Sequence, residues 1–340
     1  MIGESFAGTA ALALLLIGTM VLLLSKGIKL SSLDIVVSFA FFALILANTA
    51  VSNIPSFSNY LIAPIIALSI SKCARPMFVS FMICHAFVSV LLQAYEHMSG
   101  AYIFNVAAED GTILDSLLFS GHADIMRAKG LFQGPLSAVA FYILVSLLHP
   151  GMRTILIGMV GAILAYGRLG IILTTSLFAA RLLSNFGLTR KIIIIMISIG
   201  GLVIAPELVT LPTFFSAAFD LTSSGNVARF YFWNENLSHY SDYSVASALF
   251  GNLGYANRVI GSTESDFLRI LMDTGLFTLL IYISVLIGVL QKAVYMGYEK
   301  TFHFFVIIIA MAVFPFIQSL NATIIFWVYI WGFFHGHEEN

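Results

Sequence analysis

An all-α, polytopic integral membrane protein is the fold class this sequence predicts, and three observations predict it. Hydrophobic residues make up 59% of the 340 and charged residues only 10%, against about 25% charged in soluble domains. Mean hydropathy is +0.97. Apolar runs approaching the ~20 residues that cross a bilayer recur along the chain with short polar breaks. Together these predict about eleven transmembrane helices and a large periplasmic loop.

The first run, 6–25, follows an N-terminus without the basic stretch of a cleaved signal peptide, so it is expected to be a permanent span. Further spans are expected near 33–52, 60–72, 76–96, 134–149, 153–167, 170–184, 191–211, 266–290, 302–320 and 321–337. Residues 152–183 also fit one long helix. Two spans are preferred, because Gly167-Arg168-Leu169-Gly170 sets a charge between flexible residues and a lone mid-membrane arginine is costly.

The distribution of Lys and Arg orients these spans. With the N-terminus outside, Lys26, Lys29, Lys72, Arg75, Arg153, Arg181, Arg190, Lys191, Lys292 and Lys300 lie inside. Arg127, Lys129, Arg168, Arg229, Arg258 and Arg269 lie outside, with acids such as Glu109, Asp110, Asp115, Asp124, Asp220, Asp242 and Glu264. The expected topology is N-terminus out, C-terminus in, with long loops over about 97–133 and 212–265 facing the periplasm. No fixed repeat or composition break divides the chain, so residues 1–340 are expected to form a single membrane domain.

Several chemistries find no support. Cys73 and Cys84 stand in apolar runs without ligand spacing, and the histidines show no metal-binding pattern. Nucleophile-elbow, Walker and dinucleotide signatures are absent from the sequence. No metal, no cofactor and no nucleic-acid partner is expected.

The stretch 229–277 concentrates the charge. It reads as a polar, aromatic-rich loop that passes straight into a helix. An arginine on the outer side runs against the topological bias. Guanidinium binds phosphate oxygens through a two-pronged fork, so Arg127, Arg168, Arg229 and Arg258 are candidates for a lipid-linked pyrophosphate. Pairing with the many outer acids, or snorkelling to headgroups, explains any one of them equally well. Ser262-Thr263-Glu264-Ser265 has helix-start character. Glu264 and Asp266 are therefore expected to face outward at a helix N-terminus, either as a catalytic base for a sugar hydroxyl or as acids favoured by the helix dipole. Asp266, Arg269 and Asp273 share one helical face, and a self-satisfied ladder is the favoured reading of Arg269 and Asp273. Phe230, Tyr231, Phe232, Trp233, Tyr240 and Tyr243 fit sugar stacking or an interfacial belt.

Four segments resemble the O-antigen polymerase and O-antigen ligase family (Wzy and WaaL). Arg127-Ala-Lys-Gly130 followed by Gln133-Gly134-Pro135 is similar to its Arg-x-x-Gly-x-x-x-x-Pro segment. Tyr166-Gly167-Arg168-Leu169-Gly170 looks like its small-Arg-x-Gly helix start. Arg229 with Trp233, then Gly251 and Gly254, resembles its Arg-x-x-x-Trp and Gly-x-Gly run. Glu264-Ser265-Asp266-Phe267-Leu268, then Gly275-Leu276, is similar to its His-Asn-x-Tyr-Leu…Gly-Leu helix. Two departures stand out: Glu264 occupies the place of the ligase branch's His, which favours a polymerase, and Leu136 stands where Asn is common.

The resemblance implies metal-independent glycosyl transfer at the periplasmic face of a bacterial inner membrane. Its donor would be a glycan on undecaprenyl pyrophosphate, held by Arg127, Arg168 and Arg229. A carboxylate, Glu264 or Asp266, would activate the acceptor hydroxyl. A ligase and a lipid-linked oligosaccharide transporter remain alternatives, and a chain-length regulator and a flippase remain open as partners.

Overall fold

The computed structural model describes residues 30–52, 58–104, 106–107, 113–114, 127–132, 134–184, 224–261 and 263–335. The spans expected at 6–25 and 191–211 lie outside them. The described residues are almost wholly helical. Three helices are long and apolar enough to cross a membrane: α1 (Ser32–Ser52), α3 (Arg75–Ser99) and α9 (Asp266–Met296). Shorter apolar helices are α2 (Asn59–Cys73), α4 (Pro135–Leu148), α5 (Met152–Leu164), α6 (Arg168–Ser184) and α11 (Leu320–His335). The remaining elements are α7 (Ser224–Ser241), α8 (Val245–Phe250), a π turn (Ala256–Ile260), α10 (Tyr298–Val313) and a short antiparallel ladder pairing Val106 with Leu114 and Ala107 with Ile113.

The described residues form two compact units, one from those within 1–81 and 228–340, the other from those within 82–227. In the first, α2 is the central helix, packed by α1, α9 and α11. Local sequence fixes each entry. Ser31 and Asp34 exchange backbone-to-side-chain hydrogen bonds of 2.8 and 3.2 Å, a reciprocal cap that starts α1. The Ser58 hydroxyl caps α2 by accepting from the Tyr60 N–H. Pro64 inside α2 has no N–H for the Tyr60 carbonyl. The Tyr282 hydroxyl takes that carbonyl at 2.7 Å, and the Trp327 indole donates to Tyr282 at 3.0 Å. A proline that would otherwise leave a buried acceptor bare thus becomes the anchor of an aromatic core.

α10 stops earlier than the span expected over 302–320. Pro315 disfavours helix at the residue before it, and Phe314 is extended at φ −159°, ψ 164°. The stretch read as an aromatic-rich loop from Arg229 is also corrected: Arg229 to Tyr240 lie within helix α7. Its polar and aromatic residues carry no clear apolar stripe, so periodicity gave no helix signal.

α9 is broken at Gly275, which has φ 84°. A Cβ there would lie 2.4 Å from the Leu249 carbonyl oxygen, and one on Gly251 (φ 86°) would lie 2.4 Å from the Asp273 carbonyl. The two glycines let the backbone after α8 press against the break. Carbonyls near the break find other donors: Asn252 N–H reaches Met272 at 2.9 Å, and the Asn48 amide reaches Phe250 and Asp273 at 2.6 and 2.8 Å.

In the second unit α4 is buried from Ala138 to Leu148, with α5 and α6 packed on it. This is the signature of a helix apolar all round.

Candidate functional site

Arg229 and Trp233 stand four apart on α7 and so share a face. Both reach Glu264. The Trp233 indole N–H donates to the Glu264 carbonyl at 3.1 Å. The Arg229 Nε lies 3.7 Å from Glu264 Oε2, with the side chains 35% and 22% exposed. That distance is an ion pair rather than a hydrogen bond, and at this exposure it contributes little to stability. Glu264 has φ 48°, in the left-handed region. This costs a residue with a Cβ roughly 1–2 kcal/mol. The Arg-x-x-x-Trp spacing therefore holds, by backbone and side chain, a strained and partly exposed acid just before α9.

Asp266 differs from its expected outward position. It has no exposed surface. Its carboxylate accepts from the Tyr60 hydroxyl at 3.1 Å and from the Phe316 and Ile317 N–H groups at 2.8 and 2.9 Å. The first residue of α9 thereby closes the turn between α10 and α11. Arg269 and Asp273 form the expected pair, Nε to Oδ2 at 2.9 Å. The second Asp273 oxygen accepts from Gly254 N–H at 3.1 Å.

Arg258 lies on the π turn and is exposed. Its guanidinium makes no hydrogen bond to the described residues. Gly254 leaves it room, since a Cβ there would lie 3.3 Å from Arg258 Nη1. Beside it Tyr243 packs edge-on against Tyr255 at 5.3 Å. Burial first, and then the negative charge of Asp273, raise the Tyr243 phenol well above its usual range. It is a neutral donor at any physiological pH.

The second unit holds the other two named arginines. Arg127 Nε donates to the Ala165 carbonyl at 3.4 Å. Gly130 has φ 57°, and a Cβ there would lie 2.6 Å from Ser89 Oγ. Between them, Lys129 is buried, with Nζ donating to the Phe104 carbonyl at 2.5 Å and lying over the Tyr102 ring. Burial pulls the Lys129 ammonium below its usual range, and Glu96 partly restores it. Arg168 opens α6; its side chain lies outside the described atoms. Gly167 and Gly170 on either side have a packing reason, because a Cβ on either would lie 2.3 Å from a methyl of Val139.

Glu96, Asn48, Tyr60 and Gln318 were not singled out from the sequence. Asn48 and Glu96 did carry a signal, a polar residue within an apolar helical run. Tyr60 and Gln318 carried none, because their roles depend on partners more than 200 residues away or on an uncommitted side chain. Among the described residues no group of three His, Cys, Asp or Glu is placed to hold a metal. Compared with protein-family models and with curated proteins, the chain matches none.

Proposed function

We propose that the chain is a polymerase of a surface polysaccharide. It transfers a growing glycan from an undecaprenyl-pyrophosphate carrier to the next lipid-linked repeat unit, at the periplasmic face of a bacterial inner membrane. In this reading the chain crosses the membrane eleven times, and the long loops over 97–133 and 212–265 face outward.

The observation that carries the reading is Glu264: a partly exposed acid in a strained conformation, engaged by both Arg229 and Trp233. Strained residues cluster where structure is held for function. In the proposed reaction Glu264 takes the proton of the acceptor hydroxyl as its oxygen bonds to the anomeric carbon. The bond from that carbon to the pyrophosphate oxygen breaks, and the pyrophosphate leaves with the electron pair. Arg229 and the exposed Arg258 stabilise the charge that develops on it. The Arg229–Glu264 contact is long enough to open at little cost when phosphate arrives. Asp266 is left with a structural role, since its oxygens are committed to Tyr60 and the turn after α10.

The glycan ladder of a strain lacking this gene tests the reading. A single repeat unit on the lipid core, restored to a ladder by the gene, is the expected result. Bare core with accumulated lipid-linked polymer means a ligase instead. Bare core with units trapped on the cytoplasmic side means a transporter, a reading to which the broken helix α9 lends some weight.

A further inference from the structure

A partly open cavity of about 130 Å³ lies in the first unit, where Ser58, Asn59, Tyr60, Arg269, Asp273 and Gln318 border it together with Leu253 and Gly254. It holds neither Glu264 nor any of the arginines assigned to pyrophosphate. Its walls carry unused hydrogen-bonding capacity. Arg269 is 9% exposed, and only its Nε has a hydrogen-bond partner among the described residues. Its Nη1 and Nη2 groups have none there and keep some accessible surface, so they are open to a ligand in the cavity. The Asn59 amide nitrogen donates to the Gln318 carbonyl at 3.2 Å, and its Oδ1 stays uncommitted. Gln318 is exposed, and its side-chain amide makes no hydrogen bond to the described residues. Each Asp273 oxygen accepts one bond and keeps a further lone pair.

The chemistry of the occupant follows from charge and size. Arg269 and Asp273 neutralise each other, and Tyr60 carries the buried Asp266 on its hydroxyl. An anion such as phosphate would meet carboxylates as closely as the guanidinium, and a cation would meet Arg269. A neutral group that both donates and accepts suits this wall, and hydroxyls do so. The partly open cavity admits two neighbouring hydroxyls, a hydroxymethyl arm or one edge of a ring.

We propose that this cavity binds the hydroxyl edge of a sugar, with Arg269 and Gln318 donating and Asp273 and Asn59 accepting. This rests on the reading of the chain as a glycan-transferring enzyme, and it assigns the cavity to recognition of a sugar of the lipid-linked substrate. Arg269 and Gln318 are then positioning residues.

The test uses the full chain in lipid nanodiscs and saturation-transfer NMR with free hexoses, 6-deoxyhexoses and N-acetylhexosamines, alongside inorganic pyrophosphate. At least one sugar is expected to receive saturation. Its binding should weaken roughly tenfold or more in Arg269→Lys, which keeps charge but loses the fork. Gln318→Ala should weaken it too. Because Gln318 is exposed and its side chain makes no bond, this variant folds as the parent does and keeps the test valid if Arg269→Lys fails to fold. Saturation of no sugar overturns the proposal, as does unchanged sugar binding in Gln318→Ala. Loss of pyrophosphate binding in Arg269→Lys would make the cavity an anion site and overturn it as well. Normal elongation in Glu264→Gln removes only the base from the mechanism, and sugar binding alongside a ligase-type or transporter-type glycan ladder sinks the polymerase reading and spares the cavity. Blocked elongation in Glu264→Gln with parental sugar binding in Gln318→Ala does the reverse.

Discussion

Glu96 in one unit and Glu264 in the other each stand beside a loop with an arginine and a nearby left-handed residue, but their surroundings differ. Glu96 has no exposed surface and accepts the N–H groups of Ile103, Lys129 and Gly130 at 3.3, 2.8 and 2.9 Å. There the left-handed residue is Gly130, which bears that conformation without strain. Glu264 keeps part of its surface and takes the left-handed conformation itself. A carboxylate saturated by backbone donors, with strain avoided by glycine, is organised for stability. A carboxylate left reachable, with strain retained, fits the base proposed for Glu264.

The comparison predicts opposite responses to substitution. Glu96→Ala should give the largest effect on folding, because it orphans the N–H groups the carboxylate collects and removes the counter-charge near buried Lys129. A loss of roughly 3 kcal/mol or more is expected, read as a fall in the thermal midpoint in detergent and in yield. A midpoint within a degree or two of the parent would put Glu96 in the same class as Glu264 and dissolve the contrast.

Gly275→Ala is next. The new methyl would meet the Leu249 carbonyl and the Gly251 N–H at a left-handed φ, so about 3 kcal/mol should be lost. Gly261→Ala, also at positive φ but with nothing within 4 Å, should lose only about 1 kcal/mol, since strain alone acts there. Equal losses at the two sites would show that the close approach of the α8 turn to the break in α9 contributes nothing.

Both glycines illustrate how far the sequence could be read. Every expected span that falls on described residues coincides with a helix, because a long apolar run can satisfy its backbone within itself only as a helix. The end of α10 departs from its expected place for the reason Pro315 supplies. The Gly251–Gly254 run was legible as a turn, whereas its docking on Gly275 was not, since a contact across the fold leaves no periodic trace. The Arg269–Asp273 pair could be foreseen from helical spacing alone. The burial of Asp266 could not, because its donors are Tyr60, Phe316 and Ile317, distant in sequence. The same holds for Arg229, whose helix was hidden by a polar, aromatic composition and whose link to Glu264 spans the intervening α8 and π turn.

Glu264→Gln should leave the thermal midpoint nearly unchanged and lower elongation by about 10²–10⁴-fold, the usual range for loss of a positioned base. Elongation is measured as glycan length against time with a lipid-linked acceptor and purified full chain. Normal elongation would leave departure of the pyrophosphate, assisted by the arginines, to carry the reaction without a base.

The smallest expected effect is the most diagnostic. Glu264→Gly removes the Cβ that makes φ 48° unfavourable, worth about 1–2 kcal/mol. Against that stand the loss of a weak, partly exposed ion pair with Arg229, about 0–1 kcal/mol, and the greater freedom glycine gives the unfolded chain, about 0.5–1 kcal/mol. The Trp233 indole keeps its bond, because it takes the backbone carbonyl. The balance is centred near neutrality, within about 1 kcal/mol of the parent in either direction, while elongation falls as far as in Glu264→Gln. Near-neutral stability with loss of activity is the behaviour of a residue retained for function. A drop in midpoint comparable to that of Glu96→Ala would mean that the acid at 264 holds the fold, and the contrast between the two regions would close from the other side.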